Sequence, residues 1–109
     1  MPGRGDRIDW SRVPDGNRFF WEQREERDSQ VCTALQKLAL PDERVVVVWY
    51  PEAAGLLLKA AEACRLAPSL LDVAPNVWVV PVQSAEWIIE VDHFDHEVCF
   101  GRTVLPNAT

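Results

Sequence analysis

The stretch that most limits how this chain can fold lies near its C-terminal end. Glu86-Trp-Ile-Ile-Glu-Val-Asp-His-Phe94 and Glu97-Val-Cys-Phe-Gly-Arg-Thr-Val104 are two β-prone runs separated by the short polar pair Asp95-His96, which is the pattern of a hairpin. With Asp95 and His96 as the loop, His93 faces Val98. Trp87, Ile89, Val91 and His93 then share one side with Val104, Arg102, Phe100 and Val98. Ile88, Glu90, Asp92 and Phe94 share the other with Thr103, Gly101, Cys99 and Glu97. Side chains alternate with a period of two, so any even loop length preserves these faces and an odd one reverses them. One face is mostly apolar and the other mostly acidic.

The acidic character is local. The net charge is −6, and between Arg65 and Arg102 there is no lysine or arginine but six acids, Asp72, Glu86, Glu90, Asp92, Asp95 and Glu97. Outside that interval eleven acids balance eleven bases, so the whole excess falls on the C-terminal third. A surface of this sign disfavours nucleic acid, because contact with phosphates needs cations. It suits either general solubility or a basic protein partner.

At 109 residues the chain has room for a single domain, residues 1–109, with one core. Residues 1–16 read as an arm with a mobile tip, docked through Trp10, and Pro14-Asp15-Gly16 is a turn signal. The Arg4-Gly5-Asp6 triplet is read as a chance match to an integrin tripeptide. The first residues lack the apolar stretch of a secretory leader, and no apolar run reaches the length of a membrane span. Cys32, Cys64 and Cys99 are an odd number, widely spaced and without a CxxC pair. That pattern argues against a disulfide framework and fits a reducing, cytoplasmic setting.

Asn17 to Leu40 reads as a helix, with Asn17 or Asp15 as its cap and a stripe through Phe20, Arg24, Arg27, Val31, Leu35 and Leu38. An Arg24–Asp28 pair is expected one turn apart, and the charged run Glu22 to Asp28 is read as solvated. Arg44 to Tyr50, with four consecutive valines, is a central strand. Pro51 opens a second helix, Glu52 to Leu66, on a 3.6 periodicity through Leu57, Ala60, Ala61 and Cys64. Pro68 to Pro75 is a loop or a short helical turn, and Val77 to Val82 is a strand whose Pro81 suggests an edge or a bulge. The order α-β-α-β-β-β predicts an α+β fold, with a four-stranded antiparallel or mixed sheet and two helices on one face.

No P-loop, GxGxxG or GxSxG pattern occurs, and no catalytic residue, resident metal or cofactor is assigned. The densest polar cluster, Asp92-His93-Phe94-Asp95-His96-Glu97, has the chemistry to bind Zn, Mn or Fe, but on a strand Asp92 and His93 point to opposite faces. A tight polar turn is the expectation. Cys99 is read as a buried structural thiol rather than a nucleophile. Trp49, Trp78 and Trp87 are expected in the core, while Trp10 or Trp21, in a more polar region, is a candidate anchor for a partner.

Glu86-Trp-Ile-Ile-Glu-Val-Asp-His93 followed by Glu97-Val-Cys-Phe-Gly-Arg102 resembles the C-terminal hairpins of small acidic immunity proteins in bacterial toxin–immunity pairs. The resemblance covers roughly the last quarter of the chain. It implies a non-enzymatic cytoplasmic protein that blocks a cognate toxin domain, often a nuclease with a basic cleft. Its expected contact set is Glu86, Glu90, Asp92, Phe94, Asp95, His96 and Glu97, with neither nucleic acid nor membrane as a partner. Two alternatives share these residues: a phage-encoded inhibitor of a host defence complex, and a small metal-dependent hydrolase using His93, His96 and a carboxylate of the Asp92–Glu97 cluster.

Overall fold

In the computed structural model, which describes residues 16–51, 54–83 and 86–102, both strands of the C-terminal hairpin lie inside a larger sheet, neither of them at its edge. Its strands are β1 (Asn17–Phe20), β2 (Arg44–Tyr50), β3 (Ala54–Lys59), β4 (Asn76–Pro81), β5 (Trp87–Asp92) and β6 (Glu97–Arg102). Every neighbouring pair is antiparallel, in the order β1-β6-β5-β4-β2-β3. The helices are α1 (Arg24–Leu38), α2 (Ala60–Arg65) and α3 (Ala67–Leu70). The α+β class and the antiparallel sheet are as expected, but among the described residues there are six strands rather than four and three helices rather than two. The expectations about residues 1–15, Trp10 among them, lie outside the described residues.

The hairpin keeps its predicted faces with a register moved by two. Asp92 pairs with Glu97, Val91 with Val98 and Ile89 with Phe100, so the turn is His93–His96, again of even length. The apolar face carries the core. Val31, Ala34 and Leu35 of α1, Ala60 and Ala63 of α2, and Ala67 and Leu70 of α3 pack against Val45, Val47, Val77, Val79, Trp87, Ile89, Val91, Val98 and Phe100. Fully burying a side chain such as Leu35 contributes about 1.5 to 3 kcal/mol. Trp87 is buried, and the half-buried Trp49 and Trp78 donate their indole N–H to Leu70 O (2.8 Å) and Glu90 Oε2 (3.0 Å).

Two segments read as helix are strand. Asn17–Phe20 lies along β6, where Phe19 stacks on Phe100 with ring centroids 5.9 Å apart. The helix therefore starts later, after Gln23, and Glu26 Oε1 accepts from the amides of Glu22 (2.7 Å) and Gln23 (2.9 Å) in place of an Asn17 or Asp15 cap. Those amides, Gln23 first, hold the Glu26 carboxyl below the usual carboxylate range. Ala54–Lys59 folds back on β2, one residue against one from Lys59 opposite Arg44 to Ala54 opposite Trp49. Its Ala, Leu and Gly content fits helical periodicity locally, but a β2 flanked only by β4 would leave its second edge of amides and carbonyls without ladder partners. Among the described residues of the predicted second helix, only Ala60–Arg65 is helical. Pro81 ends a central strand rather than an edge one: it sits opposite Val45, and the ladder passes it through Val82 N to Arg44 O at 3.1 Å.

Cys32 and Cys64 form a disulfide with their Cα atoms 4.9 Å apart, tying α1 to α2, while the buried Cys99 is not part of a disulfide. The odd count misled because an odd number still allows one bridge, with Cys99 outside it. The bridge spans 32 residues of sequence, for which loop-closure entropy gives roughly 3 to 4 kcal/mol. In denaturant without reductant one thiol should react with a thiol reagent, and with reductant all three. Replacing both bridging cysteines with serine should lower Tm by about 10 °C or more. Three reactive thiols in the unreduced, denatured protein would rule the bridge out.

Candidate functional site

The turn His93–His96 is held from three sides. Asp92 Oδ1 accepts the Phe94 amide at 2.8 Å, closing the turn on the strand that enters it. The Pro75 carbonyl accepts both the His93 amide (2.9 Å) and His93 Nδ1–H (2.9 Å). His96 has φ of 53°, in the left-handed region, and its carbonyl accepts the Trp21 amide at 3.0 Å. Its ring stacks on Trp21 with centroids 5.2 Å apart and planes 9° apart, and the Trp21 ring also meets His93 edge-on at 5.7 Å. Trp21 is accordingly buried beneath the turn and is not an exposed anchor.

Arg27 supports this arrangement from the helix layer. It lies on the stripe of α1 that also carries Val31 and Leu35, and it is buried. Nη1 reaches Asp72 Oδ1 (2.8 Å) and His93 Nε2 (3.0 Å), and Nε donates to Asp28 Oδ1 (2.9 Å). Nη2 lies 2.8 Å from that same Asp28 oxygen as an ionic contact, out of line for a second hydrogen bond. Because a guanidinium only donates, His93 Nε2 must accept, and its proton sits on Nδ1 facing Pro75. Arg24 pairs with Asp72 at 3.3 Å rather than with Asp28. The Arg27 hydrogen bond, with the charges of Arg27 and Arg24, holds the Asp72 carboxyl below its ordinary value. Trp21, Arg24, Arg27, Asp72, His93 and Phe94 line an open groove of about 580 Å³ beside the turn.

The expected contact set divides. Phe94 stands 73% exposed, and Asp95 and His96 are exposed with it. Glu86 is exposed but precedes β5 at the end remote from the turn, roughly 20 Å away along an extended strand. Glu90, Asp92 and Glu97 are buried, so the acidic face does not present them to a partner. Glu90 accepts the Trp78 indole, and Glu97, directly opposite Asp92, takes Arg18 Nε at 2.7 Å and is also in contact with Nη2. Two carboxylates facing each other across a ladder repel, and Arg18 offsets that. Glu97 in turn holds the Arg18 guanidinium more firmly protonated. Ladder alternation reveals which residues share a face but not whether that face is covered.

Ligand atoms of Asp92, Asp95 and Glu97 lie within 4.8 Å of one another. Neither histidine belongs to that group: His93 is engaged by Pro75 and Arg27, and His96 by Trp21. The hydrolase alternative requires them beside the acids. Sequence reasoning missed Arg27 and Asp72; the available signal was a charged residue on the stripe that α1 buries. It also passed over Phe20, which is 70% exposed at the end of β1 opposite Glu97, with the Arg18 guanidinium 5.9 Å from its ring centroid. No protein-family model, curated protein or solved structure matches the chain.

Replacing Arg27 with methionine strands two acids and should cost about 3 kcal/mol in urea unfolding at neutral pH, because breaking a buried pair leaves charge uncompensated. A depressed carboxyl contributes stability that is complete above the usual 3.8 and is lost as pH falls through the lower folded value. Wild type should therefore lose stability more steeply below about pH 4 than Asp72→Asn does. Parallel curves for the two proteins would remove the ion pair from the argument.

Proposed function

We propose that this chain is a binding protein that neutralises a protein partner through the His93–His96 turn, acting as the immunity protein of a bacterial toxin. The observation that carries the reading is Phe94: a large aromatic, 73% exposed, at the crest of a turn whose backbone is tied to Asp92, Pro75 and Trp21. An aromatic held rigidly in water is the usual anchor of a protein interface. Pre-ordering lowers the entropy lost on association. Asp95 and His96 follow it, both exposed, and Phe20 with Arg18 stands at the same end of the sheet.

The partner is a toxin domain with a basic, anion-binding surface. The net charge of −6 speeds the encounter with such a surface, and Asp95 beside Phe94 supplies the local carboxylate in place of Glu90, Asp92 and Glu97. The encounter is assigned to the cytoplasm. There the packing of α1 on α2 has to hold the helices together when the Cys32–Cys64 bridge is reduced. A phage-encoded inhibitor of a defence complex would use the same surface, and the genes beside this one separate the two.

The test is co-expression with the toxin domain encoded next to this gene. Wild type should restore growth; Phe94→Asp should not, while keeping its Tm, since the side chain is largely solvated. In binding measurements Phe94→Ala should weaken the complex about 30-fold, corresponding to roughly 2 kcal/mol for an anchor residue. Glu86→Lys, remote from the turn, should protect as well as wild type. Full protection by a Phe94→Asp, Asp95→Lys double variant would remove the turn from the interface.

A further inference from the structure

Among the described residues β3 pairs only with β2, so its outer edge presents a row of amides and carbonyls to solvent. It is regular, pairing one residue for one over its whole length without a bulge. Proteins blunt such edges with proline, inward charges or short strands, and β3 has none of these, its single charge being Lys59 at the end. It is also apolar on both sides. Leu56, 42% exposed, and the half-buried Leu58 share the helix side with Val47 and Val45; Leu57, 54% exposed, lies on the other.

We propose that two copies of this chain associate by antiparallel pairing of β3 with β3 of the second copy, about a twofold axis through Leu57. A twofold perpendicular to the sheet keeps the helices of both copies on one side, and this requires a register centred on a residue rather than between two. Centred on Leu57, the pair sets Leu57 against Leu57, Leu56 against Leu58, and Gly55 against Lys59. Every leucine meets a leucine, and each ammonium stem lies over a residue with no side chain. The two lysines fall at opposite ends of the pair.

Charge selects a second copy over a foreign strand. The molecule carries −6 overall, yet β3 has no acid, so copies meet where self-repulsion is least. A strongly charged partner strand would find no complementary pattern along it. The core also runs on across the junction, since Leu58 already packs against the buried cluster and would extend it to the Leu56 of the other copy. One strand pair covers less than the roughly 800 Å² per partner of a standard interface, so a dissociation constant of micromolar order is expected. The surface lies at the opposite edge of the sheet from β1 and β6, leaving Phe94 free in both copies.

Sedimentation equilibrium from about 1 to 300 µM tests this. Wild type should move from the 12.4 kDa monomer toward twice that mass, and Leu57→Lys should remain monomeric with unchanged Tm. Mild oxidation of Leu57→Cys should give a covalent dimer, because the axis places two copies of that residue face to face. Ala54→Cys, outside the paired core, should not. A wild-type monomer across the range would leave the edge to another protein's strand and overturn the proposal, as would a dimer indifferent to Leu57→Lys. Phe94→Asp should dimerise normally, so failure here and failure of the toxin-binding reading are separable.

Discussion

A buried guanidinium joins three parts of the chain that share no backbone ladder. Arg27 stands on α1, its partner Asp72 lies between α3 and β4, and His93 begins the turn after β5. Placing a charge in the interior carries a desolvation penalty, offset only when its donors are matched. Here Asp28 and Asp72 supply the charge, and both acids keep some contact with water, which reduces the penalty. The orientation of the His93 ring and one wall of the groove follow from where that side chain sits. Helix and turn are thereby one mechanical unit.

The same logic governs the acids of the C-terminal third. Six carboxylates without a neighbouring base in sequence suggest a charged outer surface, but three-dimensional neighbours matter more. Glu97 finds Arg18 from the far end of the chain and Glu90 finds an indole N–H, so much of the acidity serves internal contacts. What stays outside at the turn is an aromatic ring followed by the exposed Asp95 and His96. Chemistry that looks like a charged landing surface in one dimension becomes a rigid apolar crest in three.

What could be read in advance follows from the range of the interactions concerned. Hairpin faces depend on alternation within a few residues, so they were legible in Trp87–Asp92 and Glu97–Arg102, as was the valine run of β2. Asn17–Phe20 and Ala54–Lys59 were not, because their state is decided by β6 and β2 rather than by their own composition. At the site, Phe94, Asp95 and His96 were identified and remain exposed, since a polar turn predicts its own exposure. Burial of Glu90, Asp92 and Glu97 depends on what lies over the sheet, which no local pattern encodes.

The position of β1 bears on how the molecule is assembled. Arg18 and Glu97 are 79 residues apart in sequence, yet they pair at the sheet's edge. Bringing such distant segments together carries a large entropic cost before any contact rewards it. During synthesis β1 emerges early and finds no ladder to join until β6 has left the ribosome. Of the described strands, the earliest in sequence therefore cannot complete its pairing before the latest, and the exposed Phe20 at its end has its place set by residues made near the end of this sequence.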